Sequence, residues 1–183
     1  MERPANHGPV GGRDILVVDG NVESRETLGR KLIQSGYRTS LCASGREALD
    51  RIQGRCFDLI LLDMETREMA GLSILHEIRS TNVSHHVPVM MTSSRTDPGA
   101  VIEALNAGAD DHLAKPFDFD VLAARMERLI ERSRNLSELR QSNIALDERI
   151  THRAIEIGEL RERISAMQVE RQALQTQLDR LRA

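Results

Sequence analysis

The chain of 183 residues has no tryptophan, one tyrosine and three phenylalanines, so any core it builds must be aliphatic. Its two cysteines, Cys42 and Cys56, stand at no metal-ligand spacing and have no histidine pattern beside them. A disulfide scaffold and a zinc module are thereby excluded, and two reduced thiols are expected. Long apolar runs are missing too. Those present, such as residues 59–62, are four or five residues long, far short of the roughly 20 that span a bilayer. The formal net charge is −3, without the excess of one sign that a nucleic acid or a membrane surface would call for. Residues 1–12 are polar and contain Gly and Pro but no apolar signal-peptide core. They are expected to form a disordered tail on a cytoplasmic protein.

Chain breakers are absent from one half. All five prolines and eleven of the twelve glycines precede residue 117, which leaves Gly158 alone beyond it. Charged residues rise from 25% of residues 1–116 to 36% of residues 117–183, where 12 basic side chains balance 12 acidic ones. Few breakers and many balanced charges describe a long solvated helix.

In the first half, strand and helix signals alternate. Ile15-Leu16-Val17-Val18 is an apolar run followed by the turn residues Asp19-Gly20-Asn21. Leu28, Leu32 and Ile33 then recur at helical spacing up to Gly36. Residues 38–42 read as a second strand, and Ser44 with Glu47 as a capping box opening a short helix through Ile52. Residues 59–62 form the third strand, and a helix is expected over residues 71–80. Residues 87–91 form the fourth strand, and residues 97–107 a helix ended by Gly108. A short fifth strand covers residues 111–114. Strands that are apolar throughout are buried on both faces, as in a parallel sheet covered by helices. Five such units define a doubly wound α/β domain, whose functional residues gather at the carboxyl ends of the strands. There stand Asp19, Asp63, Thr92-Ser93 and Lys115-Pro116. Two carboxylates, a hydroxyl and an ammonium suit a hard divalent cation and phosphoryl chemistry.

Four stretches make this pattern specific: Ile15-Leu16-Val17-Val18-Asp19, Phe57-Asp58-Leu59-Ile60-Leu61-Leu62-Asp63, Pro88-Val89-Met90-Met91-Thr92-Ser93 and Ala107-Gly108-Ala109-Asp110-Asp111-His112-Leu113-Ala114-Lys115-Pro116-Phe117. With them, residues 13–120 resemble the receiver domain of two-component response regulators. The resemblance implies a five-stranded flavodoxin-like sheet of order 2-1-3-4-5. It implies that Asp63 accepts a phosphoryl group from a sensor histidine kinase or phosphotransfer protein. Mg²⁺ would be held by Asp19, Asp63 and the backbone carbonyl of Glu65. Ser93, Lys115 and the switch-position His112 would respond to the added charge. Such a domain is a signalling module rather than an enzyme.

Some residues depart from the family pattern. Gly20 stands where a second acid is usual, which weakens the expected magnesium site. Arg67 replaces a frequent Pro, and Ala70 an acid or Asn. Arg95, two residues after Ser93, is expected to pair with Glu65 across the crevice. His76-Glu77-Ile78-Arg79-Ser80 imitates a kinase phosphohistidine box but belongs to a solvated helix face, and His85-His86 is a surface pair.

Residues 121–183 are expected to extend the last helix into a coiled coil with heptads from about residue 129. Position a reads Leu136, Asn143, Ile150, Ile157, Ile164, Arg171, Leu178, and position d reads Leu139, Leu146, Arg153, Leu160, Met167, Leu174, Leu181. Eleven of these fourteen are apolar. Ile or Leu at a with Leu at d favours a parallel homodimer, whose register Asn143 fixes. Neither nucleic acid nor membrane is an expected partner. The expected function is a phosphorylated switch that signals through the coil to an output domain or partner. Two alternatives stand beside it: a phosphorylation-independent dimeric scaffold, and the regulatory piece of an enzyme, for example of cyclic-dinucleotide turnover, lying beyond residue 183.

Overall fold

The computed structural model describes residues 12–66, 68–80 and 86–182. The N-terminal tail, Arg67 and His85 lie outside the described residues, as do the side chains of Leu174, Leu178 and Leu181. The elements alternate as β1 (Asp14–Val18), α1 (Val22–Gln34), β2 (Arg38–Cys42), α2 (Gly45–Gly54), β3 (Leu59–Asp63), α3 (Gly71–Ser80), β4 (Val89–Ser93), α4 (Pro98–Asn106), β5 (Asp111–Ala114) and α5 (Phe119–Arg182). All strand pairs are parallel, in the order β2-β1-β3-β4-β5.

Consecutive residues of a strand point to opposite faces, so an all-apolar strand feeds two cores. Leu16, Val18, Ile60, Leu62 and Met91 pack with Ile52 of α2, Ile74 and Ile78 of α3 and Ala104 of α4. Ile15, Val17, Leu59, Leu61 and Met90 pack on the other face with Leu32 of α1 and with Leu122, Met126 and Ile130 of α5. The scarce aromatics join in. Tyr37 is buried in the second core and donates its hydroxyl to Glu127 Oε1 at 2.6 Å, while Glu127 also pairs with Arg13.

The sequence expectations hold for most boundaries, with two adjustments. β4 starts at Val89 rather than Val87. Pro88 has no N–H to give the ladder, although its carbonyl accepts from Ile60 N at 2.9 Å. At its other end the strand runs two residues further than expected, through Thr92 and Ser93, which pair with Asp63 and Ala114. At α2, Ser44 caps Glu47 N, but the Glu47 carboxylate returns to Ala43 N at 2.9 Å rather than to Ser44 itself.

The turn from β3 into α3 is pinned at Gly71. A Cβ there would stand 2.4 Å from the Asp63 carbonyl oxygen and 2.8 Å from Met64 Cα. Only glycine lets α3 start this close to the end of β3, which fixes the backbone behind Asp63.

The chain divides into two compact units, residues 1–134 and 135–183. The described part of the second is α5 alone, to Arg182. Leu136, Leu139, Leu146, Ile150, Ile157, Leu160, Ile164 and Met167 are all exposed along it, as is Asn143.

Candidate functional site

Parallel strands bring their carboxyl ends to one edge, and four of the expected groups stand there together. Asp19 follows β1, Asp63 ends β3, Ser93 ends β4, and Lys115 follows β5. Asp19, Asp63 and Ser93 are buried. Lys115 Nζ lies 2.9 Å from Asp19 Oδ2 and 3.1 Å from Asp63 Oδ1, tying the two carboxylates through one ammonium. A cavity of about 310 Å³ opens on Asp63 and Lys115, lined also by Gly20, Asn21, Ser24, Glu65 and Ser94.

The two acids are held differently. Asp19 accepts from Ser24 Oγ at 2.6 Å, from Lys115 and from the Asn21 amide at 2.8 Å. Burial alone pushes its carboxyl pKa up, but these donors together hold it below the ordinary value. A carboxylate so bonded stays ionised. Asp63 is raised instead: burial disfavours its charge, the negative charges of Asp19 and Glu65 add to that, and Lys115 only partly opposes it. Lys115 is pulled down by burial and raised further by both acids, so it stays charged between them. Around Asp63, Thr92 Oγ1 stands at 3.5 Å from Oδ1.

Ser93 faces away from this cluster. Its hydroxyl donates to the Arg95 carbonyl at 3.1 Å and lies 3.0 Å from His112 Nε2. His112 is buried, and desolvation lowers its pKa, while Asp111 and Glu65 pull the other way. Two of the three residues expected to respond to the added charge, Ser93 and His112, thus share a hydrogen bond.

The Glu65–Arg95 pair does not form. Arg95 binds Asp97 at 3.0 Å and Glu103 at 2.9 Å. Asp97 caps α4 through Ala100 N, and that role places its carboxylate beside Arg95. The Glu65 carboxylate instead accepts the Ser94 amide, at 3.1 and 2.9 Å. Sequence reasoning also missed Ser24, Asn21 and Ser94. Their only signal was position, since Asn21 and Ser24 open α1 directly after Asp19 and Ser94 follows Ser93. His76 is exposed on α3 as expected.

Oxygen donors of this kind fit Mg²⁺, which is content with one or two carboxylates and several waters. Asp19 and Asp63 are such donors, bridged by Lys115, and Asp63 and Glu65 line the same cavity. Among the described residues, no three His, Cys, Asp or Glu side chains stand together as a ready metal cluster.

A doubly wound parallel sheet carrying paired acids, a hydroxyl and a lysine at its carboxyl edge is the architecture of a signalling receiver domain. The chain belongs to the response regulator receiver domain family, whose model matches residues 15–127. Domains of this family generally bind Mg²⁺ in an acidic pocket and interact with histidine kinases or phosphotransfer proteins. The chain is 39% identical over 117 residues to the transcriptional regulatory protein ZraR of Escherichia coli, covering 64% of this chain and 26% of that protein. It is 39% identical over 119 residues to the response regulator MprA of Mycolicibacterium vanbaalenii, covering 65% and 51%. It therefore spans a quarter to a half of these relatives. Among solved structures, the receiver domain of a Francisella response regulator matches at TM-score 0.62 and 30% identity, over 66% of this chain and 98% of that one. The receiver domain of a Pseudomonas aeruginosa sensor histidine kinase, with a magnesium ion in its active-site cleft, matches at TM-score 0.62 and 30% identity, over 66% and 99%. Among the described residues, no helix is long and apolar enough to cross a membrane.

Proposed function

We propose that Asp63 is the phosphoacceptor of a two-component switch, with residues 13–120 as its receiver and residues 121–183 as the helix that carries the signal. The observation that carries this reading is Lys115 Nζ standing between Asp19 and Asp63 at 2.9 and 3.1 Å. An ammonium fixed against the acceptor carboxylate is already placed to stabilise charge arriving on it. In the reaction, an Asp63 carboxylate oxygen bonds to phosphorus as the P–N bond of the kinase phosphohistidine breaks. The imidazole leaves with the electron pair and takes a proton from solvent. Asp19, Asp63 and the Glu65 carbonyl would hold Mg²⁺, which supplies positive charge to the phosphoryl oxygens when bound. With Gly20 in place of a second acid, that site is a weak one.

Once Asp63 carries the phosphoryl group, Lys115 has a stronger partner than Asp19. Ser93 gives up its hydrogen bond to His112 and turns to the phosphoryl oxygens, and His112 moves with it. Signalling requires only that phosphate favour one of two such arrangements. The readout is a homodimer joined by a parallel coil through the a and d residues from Leu136 onwards, leading to an output domain or partner. Histidine kinases use cytoplasmic ATP, so this reading places the chain in the cytoplasm.

Treatment with phosphoramidate or acetyl phosphate and Mg²⁺ should add about 80 Da, one phosphoryl group. Intact mass reads it, and Asp63→Asn should abolish the gain. The bare backbone of Gly20 at the cavity wall favours a second reading, a scaffold that takes no phosphate. That reading wins if the wild type gains no mass while Gly20→Asp does.

A further inference from the structure

The inference rests on that reading and concerns the acid absent at Gly20. Affinity of an oxygen site for a hard cation follows the number and charge of its ligands. Here two buried carboxylates share one ammonium, and among the described residues they form no ready cluster with a third metal-ligating side chain. Glu65 sits at the rim of the same cavity as Gly20 and Asp63. Its backbone is fixed from both sides. Met64 N donates to the Thr92 carbonyl at 2.8 Å, and the buried Thr66 donates its hydroxyl to the Met69 carbonyl at 2.6 Å. Its side chain is exposed, and both carboxylate oxygens share a single donor, the Ser94 amide. One forked hydrogen bond at an exposed position is readily exchanged for water or for a stronger partner. Ser94 lines the cavity as well.

We propose that Glu65 is the exchangeable third acid of this site: when a divalent cation binds, its carboxylate leaves the Ser94 amide and takes the ligand place that Gly20 cannot supply. The move does two things at once. It restores the missing negative charge beside Asp19 and Asp63, and it releases a backbone N–H at the cavity for a phosphoryl oxygen. Cation binding and readiness for phosphate are thereby coupled through one side chain.

The competing role is plain capping of the loop after β4. Glu65→Gln separates the two, because an amide oxygen still accepts from Ser94 N but brings no charge to a cation. The test uses the full chain and Mn²⁺, an octahedral oxygen-seeking ion, with free Mn²⁺ followed by electron paramagnetic resonance. Four proteins are compared: wild type, Glu65→Gln, Gly20→Asp and the double variant. Glu65→Gln should weaken Mn²⁺ binding by about tenfold in the wild type and by less than about threefold in the Gly20→Asp background, because there the place is filled. The Ser94 amide resonance should shift on adding Mg²⁺ to the wild type and stay put in Glu65→Gln. Equal losses in both backgrounds, no loss in the wild type, or an unmoved Ser94 amide each overturn the proposal. If Gly20→Asp binds Mn²⁺ and Glu65→Gln changes nothing, this inference alone falls. If not even Gly20→Asp binds it, the magnesium reading of the site falls too.

Discussion

The receiver unit and the helix after Arg134 are built from the same aliphatic side chains and treat them in opposite ways. Ile15, Leu59 and Ile60 in the sheet are wholly buried, whereas Leu139 is 62% exposed, Ile150 64% and Met167 69%. The sheet finds its partners within the chain, since α1 to α5 cover both of its faces. A lone helix has only one stripe and nothing to press it against. Burial contributes roughly 25 cal/mol per Å² of apolar surface, so a row of such residues facing water is a standing drive towards a second copy. Polar groups divide the same way. Asp19, Asp63 and Lys115 are held in fixed hydrogen bonds, while Asn143 and Arg153 lie exposed along the helix.

The sharpest break of this contrast is to make the helix behave like a surface. Ile150→Asp with Ile157→Asp would bury four carboxylates in a dimeric coil, and dimerisation should weaken by at least about a hundredfold. Sedimentation equilibrium reads this. The receiver melting transition should not move, because neither residue belongs to its cores. A dimer that survives would show that the stripe is not the interface.

The converse change targets the receiver alone. Gly71→Ala puts a methyl group 2.4 Å from a backbone oxygen that no side-chain rotation can clear. The overlap should cost about 3 kcal/mol, measured by urea unfolding, with the dimerisation constant untouched. Wild-type stability in this variant would mean that the turn after Asp63 is looser than the close approach implies.

Much of this division was legible beforehand, for physical reasons that differ by element. Apolar runs ended by turn residues mark buried parallel strands without any tertiary knowledge, so Asp19, Asp63 and Lys115 could be assigned to one edge. The heptad stripe is equally local. Contacts set by turn geometry were not legible. Nothing in the letters says that Ser24 will reach Asp19 Oδ2, or that the Glu65 carboxylate will prefer the Ser94 amide to Arg95. The Ser93–His112 hydrogen bond depends on the β4–β5 register, in which Met91 pairs with His112 and Ser93 with Ala114. That register is a property of the assembled sheet. Pro88 could have been used: a residue without an N–H argues for starting β4 after it.

A smaller change sharpens the comparison from the side of the helix. Nothing lies within 4 Å of a Cβ built on Gly158, so alanine fits without strain and removes the conformational cost of glycine. Gly158→Ala should stabilise the helix by about 1 kcal/mol. The thermal transition followed by helical circular dichroism should rise for the tail and not for the receiver.

The smallest effect is expected at the far end of β1, where the receiver holds its charges near solvent. Asp14 pairs with Arg38 and Arg55, with Arg38 Nε at 3.2 Å from Oδ1. Its pKa is lowered from the ordinary 3.8, chiefly by the Arg38 hydrogen bond, against a burial effect that raises it and with further help from Arg55. A depressed folded pKa means that the unfolded chain binds the proton first as pH falls. The contribution is therefore complete above the unfolded value and disappears as pH drops through the folded one. The stability difference between wild type and Asp14→Asn should be flat near neutrality and shrink below about pH 4. Because Arg38 and Arg55 are 59% and 51% exposed, 1 M salt should shrink it at pH 7 as well. The buried Asp19–Lys115–Asp63 cluster is screened far less, so salt separates the two kinds of ion pair within one sheet. A difference that grows on acidification would mean that Asp14 is held in its protonated form, and that the two arginines do not act on it as the geometry says.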